Sequence, residues 1–458
     1  MIKLVVFLLL SAAAFAQPTV DSIIAAGQVV TMDGERRIIA DGAVAVRAQR
    51  IVAVGPRAEI ERRYRAKVVV RRPNAVLMPG LINTHAHAAM SLFRGIADDM
   101  RLQDWLNNFI FPAEAKNVTP EFVRWGTRLG VLEMLLGGTT TYTDMYYFEE
   151  IVAEETKRAG MRGVLGETVI QFPVADAKTP ADAVKRTEDF FKNYANDSLI
   201  TPAVAPHALF TNNDDTLRAC RRLADQYQKP LLIHLSETKQ ENDDIVKTRG
   251  MSPTRVLDSI GVLTGRTIAA HGVWLDEADI RILAQRGTGI GHCPSSNMKL
   301  ASGVAPVSKL LAAGVNVGLG SDGPAGSNND FGLFEEMDLA SKLAKVTSMD
   351  PEALPATTVL EMATIGGARV LGMEREIGSL EPGKLADLIL VNTAAPHGQP
   401  SYNVVSQLVF ALKASDVRDV MVNGRWVVQN RIALTLDRAA ILAKARQFGL
   451  SVRRSLEK

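Results

Sequence analysis

Residues 79–87 read Pro79-Gly80-Leu81-Ile82-Asn83-Thr84-His85-Ala86-His87. This stretch is a short apolar segment, typical of a buried β-strand, that ends in two histidines separated by one residue. In a strand, residues i and i+2 lie on the same side, so His85 and His87 can bind one metal ion. Because an H-x-H pair alone is weak evidence, its meaning depends on what surrounds it in the chain.

The stretch is the first of eight short apolar segments that alternate with amphipathic helices, such as residues 120–136 and 215–228. Eight β–α units over about 300 residues predict an α/β protein with a (β/α)8 TIM-like barrel. A doubly wound open sheet is the alternative, because periodicity alone does not distinguish a closed sheet from an open one. The predicted strands are residues 76–83, 139–143, 163–167, 200–205, 231–235, 267–270, 288–292 and 316–320.

Six of the seven histidines lie at or just beyond the ends of predicted strands. In a barrel the carboxyl ends of the strands carry the active site, so this placement indicates function more strongly than any single histidine does. Two carboxylates share the pattern, since Glu237 follows His234 by three residues and Asp322 ends the eighth strand. His397 lies in a Pro-rich loop and is predicted to be a surface residue. The six histidines are His85, His87, His207, His234, His271 and His292.

Both ends of the chain have a β-rich pattern that differs from the central region. Asp33-Gly34 and Asp41-Gly42 lie between alternating apolar runs near the start, and Asn423-Gly424 does so near the end. These dipeptides are strong hairpin signals. We therefore predict a small β-sandwich built from residues 19–75 and 376–458, with a closing helix at about residues 438–454, around a barrel of residues 76–375.

The composition excludes several classes of protein. The chain has 458 residues, of which 47% are hydrophobic and 22% charged, so it is neither disordered nor a collagen-like rod nor a disulfide-rich miniprotein. Lys and Arg total 52 against 50 for Asp and Glu, and only 6% of residues are aromatic. Neither a charge field nor a base-stacking surface for nucleic acid is expected.

The first 16 residues have the parts of a secretory signal peptide. Lys3 precedes an apolar run that ends in Ala14-Phe15-Ala16, a small-x-small cleavage site. The run is too short to cross a bilayer, so we predict an exported protein, periplasmic or secreted, without stable membrane insertion. Cys220 and Cys293 are predicted to be two buried thiols rather than a disulfide.

The arrangement of these residues resembles the metal-dependent amidohydrolase superfamily, whose pattern is H-x-H on strand 1, histidines on strands 5 and 6, aspartate on strand 8 and a split sandwich. Within it the likeness is to the deaminase and chlorohydrolase branch, especially the 5-methylthioadenosine/S-adenosylhomocysteine deaminases. The stretches that carry it are residues 79–87, Arg94-Gly95-Ile96-Ala97-Asp98-Asp99, Ala205-Pro206-His207, His234-Leu235-Ser236-Glu237 and residues 378–388.

The resemblance implies that one divalent metal ion is held by four side chains. Three imidazoles and a carboxylate suit Zn²⁺, and Fe²⁺ tolerates the same ligands. Members with two metal ions place a bridging Lys or Glu on strand 4, but Ile200-Thr201-Pro202-Ala203-Val204-Ala205 has neither. A mononuclear site is expected. The implied ligands are His85, His87, His234 and Asp322.

The resemblance also implies a hydrolytic deaminase that releases ammonia from an aminopurine nucleoside. Bound Zn²⁺ lowers the pKa of its water to about 7 and so supplies hydroxide for attack on the carbon that bears the amine. Glu237 would protonate the ring nitrogen during the attack, as a glutamate that is not a ligand does in other zinc deaminases. His271 and Asp322 would orient the nucleophile, and Asp322 could pass its proton to ammonia.

Substrate contacts follow from the same likeness. Glu114 would accept hydrogen bonds from ribose hydroxyls, and His207 would bind a purine nitrogen. Deaminases that accept S-adenosylhomocysteine place an arginine just after strand 3, whereas here Arg162 precedes that strand. This departure favours 5′-methylthioadenosine or adenosine. Trp105 and Phe109 could form a wall of the pocket or pack within a lid, and packing is favoured. His292 and Cys293 beside strand 7 are interpreted as packing residues, and Asp144 is a candidate without a role.

Three alternatives stay open at this point. An s-triazine chlorohydrolase or aminohydrolase would share the metal site and the geometry of attack. An amide or imide-ring hydrolase on the same fold would favour a second metal ligand on strand 4. A non-enzymatic metal-binding protein would have lost at least one of the ligands or the acid. Small molecules, not nucleic acid, are the expected partners, and a homo-oligomer is left open.

Overall fold

The structure, a computed structural model, describes residues 17–457. The predicted signal peptide, residues 1–16, lies outside the described residues. Within that range no helix is both long and apolar enough to cross a membrane. The strands, numbered in chain order, are β1 Thr19–Val30, β2 Ile38–Arg47, β3 Arg50–Pro56, β4 Arg65–Pro79, β5 Leu81–Ala86, β6 Thr139–Tyr146, β7 Arg162–Val169, β8 Ile200–Pro206, β9 Leu231–Leu235, β10 Thr267–His271, β11 Gly289–His292, β12 Val317–Leu319, β13 Leu388–Asn392, β14 Val417–Val422, β15 Arg425–Gln429 and β16 Ile432–Ala433.

Strands β5 to β12 form a closed parallel barrel. Each strand pairs with the next along the chain, and β12 closes the ring on β5 where Leu319 faces Asn83. Helices lie between successive strands, because a parallel connection must cross the sheet. The predicted (β/α)8 barrel is confirmed, and the open-sheet alternative is wrong.

The predicted first barrel strand, residues 76–83, is in fact two strands. Residues up to Pro79 belong to β4 of the second sheet, and β5 of the barrel begins at Leu81. The chain changes sheets at Gly80, whose N–H donates to the carbonyl of Asp387 at 3.1 Å. A Cβ at Gly80 would lie 2.1 Å from Oγ1 of Thr140, so glycine is required there. A continuous apolar run hides this change of sheet from sequence analysis.

The second sheet joins both ends of the chain in the order β16-β15-β14-β13-β4-β1-β2-β3. Its N-terminal and C-terminal halves share a core that includes Ile24, Val44, Leu388 and Met421, all fully buried or nearly so. The predicted sandwich from both chain ends is confirmed. The Asn423-Gly424 hairpin also forms as predicted, between β14 and β15.

One buried ion pair joins the barrel to the sandwich. Arg162, at the start of β7, contacts Oδ2 of Asp387 through Nε at 3.0 Å. The two side chains are 3% and 2% exposed. Asp387 also accepts a hydrogen bond from the backbone N–H of Asn423 at 2.6 Å. Arg162 is thus bound at the end of the barrel opposite the carboxyl ends of the strands.

The helices are, in chain order, α1 Arg57–Arg63, α2 Leu102–Trp105, α3 Phe111–Asn117, α4 Pro120–Leu136, α5 Glu149–Ala159, α6 Pro180–Asn193, α7 Asp214–Tyr227, α8 Lys239–Arg249, α9 Pro253–Ser259, α10 Glu277–Arg286, α11 Pro294–Lys299, α12 Val307–Ala312, α13 Leu333–Ser348, α14 Ala356–Glu361, α15 Gly367–Leu371, α16 Val404–Phe410 and α17 Arg438–Leu456. A π-helical turn, Leu106–Ile110, joins α2 to α3, so residues 102–117 form one helical lid segment. Helix α17 is the predicted closing helix, and its Phe448 packs on Phe122 of α4. Both cysteines are buried free thiols, as predicted.

Candidate active site

Four predicted ligands meet at the carboxyl end of the barrel. His85 and His87 come from the end of β5, His234 from β9, and Asp322 from the loop after β12. One potential ligand atom of each lies within 4.8 Å of those of the other three. Oδ1 of Asp322 is 3.3 Å from Nε2 of His85 and 3.2 Å from Nε2 of His87. Nε2 of His85 is buried without a hydrogen-bond partner among the residues described, which is the state expected of a metal ligand without its ion.

Backbone carbonyls set the tautomers of two of these histidines. Nδ1 of His87 is 2.7 Å from the carbonyl oxygen of Met145, and Nδ1 of His234 is 2.8 Å from that of His207. A carbonyl oxygen only accepts, so each Nδ1 donates and each Nε2 is the nitrogen left to bind a metal ion. The donor set of three imidazole nitrogens and one carboxylate fits a tetrahedral Zn²⁺ with one position open.

Burial and contact determine the protonation of the cluster. Burial lowers the pKa of His85 to about 4 and holds the pKa of His234 well below its ordinary value. Burial opposes the charge on Asp322, but the contacts with His85 and His87 outweigh it and hold its pKa well below the ordinary value. Burial also acts to lower the pKa of His87, yet Asp322 raises it to about 9. A metal ion bound here would displace the extra proton of His87. Its other three ligands would already be in the deprotonated form that binds a metal ion.

The predicted acid and its histidine neighbour lie beside the cluster. Burial, reinforced by the charge of Asp322, raises the pKa of Glu237 well above its ordinary value and so favours the protonated form of the carboxyl. Its Oε2 is 3.7 Å from Nε2 of His271. Burial lowers the pKa of His271, which is therefore neutral. The site thus combines a carboxyl of raised pKa with a neutral imidazole.

Glu114 and His207 line the same pocket as the ligand cluster. Burial raises the pKa of Glu114 to about 7, and its Oε2 accepts a hydrogen bond from the hydroxyl of Tyr147 at 3.3 Å. Burial lowers the pKa of His207 to about 3, so its ring is neutral. Every residue that sequence analysis assigned to metal binding, catalysis or substrate binding is thus brought to one pocket or its floor.

The lid segment forms one wall of the pocket. Leu102, Trp105, Leu106, Ile110 and Phe111 all line it. Trp105 is therefore a pocket residue as well as a packing residue, and its Nε1 donates to the carbonyl of Ala325 at 3.1 Å. Phe109 is not among the residues that line the pocket, and it is 38% exposed.

Sequence analysis missed two residues of α11. The hydroxyl of Ser296 donates to Oδ2 of Asp322 at 2.7 Å, and Oδ1 of Asn297 lies 3.0 Å from Nδ1 of His271. A signal was present, since Pro294 directly after the seventh strand is typical of a helix that begins at the catalytic end of the barrel. His292 and Cys293 are 2% and 0% exposed, in agreement with a packing role.

Asp144 has a structural position that the sequence did not indicate. Its Oδ1 accepts a hydrogen bond from the backbone N–H of Ala88 at 2.6 Å. Burial raises its pKa to about 6.

Behind Asp322, Glu336 of α13 accepts from the N–H of Ser295 at 3.0 Å and from Nδ2 of Asn328 at 3.1 Å. Burial raises the pKa of Glu336 to about 8.

Comparison with known proteins agrees with this site. The Amidohydrolase family matches residues 76–427 of the chain. The 5-methylthioadenosine/S-adenosylhomocysteine deaminase of Thermodesulfovibrio yellowstonii is 45% identical over 435 residues, covering 94% of this chain and 99% of the relative. The deaminase 1 of that name from Syntrophus aciditrophicus is 44% identical over 438 residues, covering 96% of this chain and 99% of the relative.

Solved structures show the same fold. An adenosine deaminase from Xanthomonas campestris with bound zinc superimposes with a TM-score of 0.94 at 42% identity, covering 96% of this chain and 100% of that one. An atrazine chlorohydrolase from Arthrobacter aurescens complexed with zinc has a TM-score of 0.84 at 23% identity, covering 93% of this chain and 100% of that one. The second likeness, at that identity, shows the fold alone.

The chain therefore belongs to the Amidohydrolase family, and its fold and ligand cluster define a metal-dependent hydrolase that acts on carbon–nitrogen bonds. Among the members of that family it is similar to the 5-methylthioadenosine/S-adenosylhomocysteine deaminases along almost its whole length. The resemblance stated from the sequence and the predicted class of enzyme are both confirmed.

Proposed function

We propose that this protein is a zinc-dependent deaminase that hydrolyses the exocyclic amine of an adenine nucleoside and releases ammonia. The observation that carries the proposal is the position of Glu237, a buried carboxyl whose pKa is raised by burial, in the same pocket as a cluster of three histidines and one aspartate. An amide or imide hydrolase has no need for a buried acid at that place, whereas deamination of an aromatic ring does.

The chemistry divides between the metal and the chain. When bound, Zn²⁺ lowers the pKa of water and supplies a nucleophile at neutral pH. Attack at the carbon that bears the amine destroys the aromaticity of the ring, so a ring nitrogen must gain a proton, which Glu237 donates. Asp322 and His271 receive the proton that the water loses, and this proton leaves with the amine as ammonia. The hydroxyl proton on the attacked carbon returns to Glu237 as the ring carbonyl forms. Water and the amine are thereby converted to a ring carbonyl, a ring N–H and ammonia, and the protein is regenerated.

Two polar side chains of the pocket, Glu114 and His207, can bind the ribose and the base of a nucleoside. The carboxylate of Glu114 is 7% exposed and faces the same pocket as the metal ligands, where it can accept from two vicinal ribose hydroxyls. The neutral ring of His207 can hydrogen-bond a purine nitrogen. Its ring centroid is 4.7 Å from that of His234, so a base bound there lies next to the ligand cluster.

The walls of the pocket favour an uncharged group at the 5′ position of the nucleoside. Neither Lys nor Arg lines the main pocket within the described part of the chain. A neighbouring cavity shares Phe111, Glu114 and Tyr147 with it and is otherwise lined by Ala115, Phe172, Pro173, Val174 and Ala175. Arg162 is held at the far end of the barrel by Asp387. We therefore favour 5′-methylthioadenosine or adenosine over S-adenosylhomocysteine, whose zwitterionic tail would lack a cationic partner.

The identity of the metal and the compartment belong to the same proposal. Zinc is favoured by the nitrogen-rich ligand set and by the zinc in the adenosine deaminase from Xanthomonas campestris, while Fe²⁺ suits the same ligands. Export is proposed from the signal-peptide pattern of residues 1–16. An exported enzyme of this kind would act on nucleosides outside the cytosol.

The direct test is ammonia release by the purified enzyme, loaded with Zn²⁺ or Fe²⁺, from a matched panel of compounds. The panel contains adenosine, 5′-methylthioadenosine, S-adenosylhomocysteine, cytidine, a chloro-s-triazine and a cyclic imide, each also assayed for loss of the starting compound. We expect turnover of the first two and poor turnover of S-adenosylhomocysteine. Hydrolysis of the imide or dechlorination of the triazine, with no deamination of any nucleoside, would overturn the proposal.

A further inference from the structure

We propose that the first turn of α11 is a positioning platform, in which Ser296 and Asn297 orient the two groups that receive the proton of the attacking water, Asp322 and His271. The inference rests on the proposed function for the meaning of those two groups, but the contacts themselves do not depend on the substrate. Neither residue is a metal ligand or faces the reacting atoms, so both act through their neighbours.

Ser296 determines which oxygen of Asp322 is available to a metal ion. Its hydroxyl donates to Oδ2 of Asp322 at 2.7 Å, while the other oxygen, Oδ1, lies 3.2 Å from Nε2 of His87. Ser296 is fully buried, so no water can replace this donor without a change in the packing. With the hydroxyl removed, the carboxylate can rotate and present either oxygen to the ligand cluster, which weakens the bound geometry.

Asn297 determines the tautomer of His271. A neutral imidazole carries a single N–H, and an amide oxygen only accepts, so the 3.0 Å contact with Oδ1 of Asn297 requires the proton on Nδ1. Nε2 of His271 is then a free lone pair on the side of Glu237, 3.7 Å from its Oε2. In this tautomer Nε2 of His271 carries no proton and can accept one from the attacking water, which is the role that the reaction assigns to His271.

The backbone conformation explains why both groups need support. His271 and Asp322 have φ values of +71° and +61°, a left-handed conformation that is costly for residues other than glycine. Such a conformation persists only where the surroundings hold it. Ser296 contacts Asp322, and the next residue of the same helix, Asn297, contacts His271. Helix α11 therefore holds these two strained residues in a fixed relation to each other.

The platform itself is firmly attached to the barrel. The N–H of Asn297 donates to the carbonyl of Cys293 at 3.0 Å, and the N–H of Ser302 donates to the carbonyl of Asn297 at 2.8 Å. Glu336 accepts from the N–H of Ser295, and Asn328, which also contacts Glu336, donates to the carbonyl of Ser321 at 2.8 Å. This chain of hydrogen bonds links the start of α11 to the residue directly before Asp322.

The Ser296 half of the proposal is tested by metal affinity, with no substrate present. Apo-protein variants Ser296→Ala and Ser296→Thr are titrated with Zn²⁺ against a competing chelator, and Met298→Ala, at an exposed position of the same helix, is the control. We expect Ser296→Ala to bind Zn²⁺ about 10- to 100-fold more weakly, with Ser296→Thr and Met298→Ala close to the parent protein. Zinc affinity of Ser296→Ala equal to that of the parent protein, in a variant with an unchanged melting temperature, would overturn this half.

The Asn297 half is tested by a tautomer measurement and by kinetics. Asn297→Leu keeps the shape of the side chain without the acceptor, and Asn297→Asp keeps an acceptor. In ¹⁵N-histidine spectra we expect the His271 resonance, assigned by its loss in His271→Asn, to show a protonated Nδ1 in the parent and in Asn297→Asp but not in Asn297→Leu. In deamination assays kcat of Asn297→Leu should fall about tenfold or more with KM unchanged, and Asn297→Asp should be the faster of the two.

The outcomes separate this inference from the proposed function. An unchanged tautomer in Asn297→Leu, or equal kcat for Asn297→Leu and the parent protein, overturns the Asn297 half. If no nucleoside is deaminated at all, the proposed function fails, while the zinc titration and the spectra still decide whether Ser296 and Asn297 orient their neighbours.

Discussion

Oε2 of Glu237 lies 3.7 Å from Nε2 of His271, and the two side chains are 6% and 1% exposed. Burial disfavours the ionised form of both groups, so it raises the pKa of Glu237 and lowers the pKa of His271. A proton donor and a proton acceptor therefore stand side by side next to the ligand cluster. This pairing suits a reaction in which a ring nitrogen gains a proton while the attacking water loses one.

The first prediction concerns the acid. Glu237→Gln keeps the size and polarity of the side chain but cannot transfer a proton as an acid. We expect kcat for ammonia release from adenosine to fall by about 10² or more, the usual contribution of general acid catalysis, with zinc content unchanged. Glu121→Gln, at a side chain 63% exposed on α4, is the matched control. A zinc-loaded Glu237→Gln enzyme with full activity would show that the proton comes from another group.

A second prediction tests the ligand cluster without any substrate. His234→Asn removes an imidazole at the centre of the cluster, whereas His397→Asn changes a histidine 45% exposed beside Asp416, far along the chain from the ligands. Since a ligand that binds only the folded state stabilises it, zinc should raise the melting temperature of the parent and of His397→Asn but not of His234→Asn. Equal stabilisation of all three proteins by zinc would place the metal elsewhere.

The barrel and its ligands could be predicted because their signals are local. Each strand is a short apolar run, and each ligand lies at a strand end, where the closure of a barrel brings distant residues together. His234 and Asp322 are 88 positions apart in the printed sequence, yet the same rule places both at one edge of the sheet. Burial then supplies the physical reason for the raised pKa of Glu237, the residue that the resemblance had already named as the acid.

Other features were not predictable for physical reasons. The change of sheet at Gly80 leaves no trace in an apolar run that is buried on both sides. Ser296 and Asn297 are ordinary residues of a helix start, and their roles depend on the exact rotation of α11 over the barrel. Trp105 lines the pocket and Phe109 does not, and the π-helical turn at Leu106–Ile110 that forms part of the lid segment has no signature in the sequence.

A third prediction concerns the nucleoside sugar. Burial raises the pKa of Glu114 to about 7, so its capacity to accept two hydrogen bonds increases as pH rises through that value. We expect kcat/KM of the parent protein for adenosine to rise between pH 6 and pH 8 as Glu114 ionises. This contribution to the rise should be absent in Glu114→Gln. At pH 8 the substitution should cost roughly tenfold or more, the value of hydrogen bonds to a charged group. With 2′,3′-dideoxyadenosine, which has no hydroxyls for Glu114 to bind, parent and variant should have similar kcat/KM; an equal loss with both substrates would assign Glu114 a structural role.

The fourth prediction concerns the buried ion pair between Arg162 and Asp387, which joins the barrel to the sandwich. Asp387→Ala would leave Arg162 charged and buried without its partner, and breaking a buried pair in this way costs about 3 to 5 kcal/mol of unfolding free energy. Equilibrium unfolding in urea measures the loss. Asp41→Asn, which breaks the exposed pair with Arg57, is the control and should leave the midpoint nearly unchanged, because exposed pairs contribute little. Similar midpoints for both variants would mean that the sandwich does not depend on this contact.

The last prediction links stability to pH through Glu336. The pKa of this buried carboxyl is raised from 4.5 to about 8, mainly by burial. Between these values the unfolded chain loses the proton and the folded chain keeps it, so the group makes the fold less stable as pH rises. The slope is at most about 1.4 kcal/mol per pH unit, and it vanishes once the folded carboxyl has also ionised.

Glu336→Gln removes this titration and keeps an acceptor for the N–H of Ser295. Urea unfolding of zinc-saturated parent and variant at pH 5, 6, 7 and 8 isolates the effect, because every other titrating group is common to both proteins. The free energy of unfolding of the variant minus that of the parent should increase steadily from pH 5 to pH 8. A constant difference over that range would mean that Glu336 is already ionised in the folded protein, and that Asn328 and Ser295 bind a carboxylate anion behind Asp322.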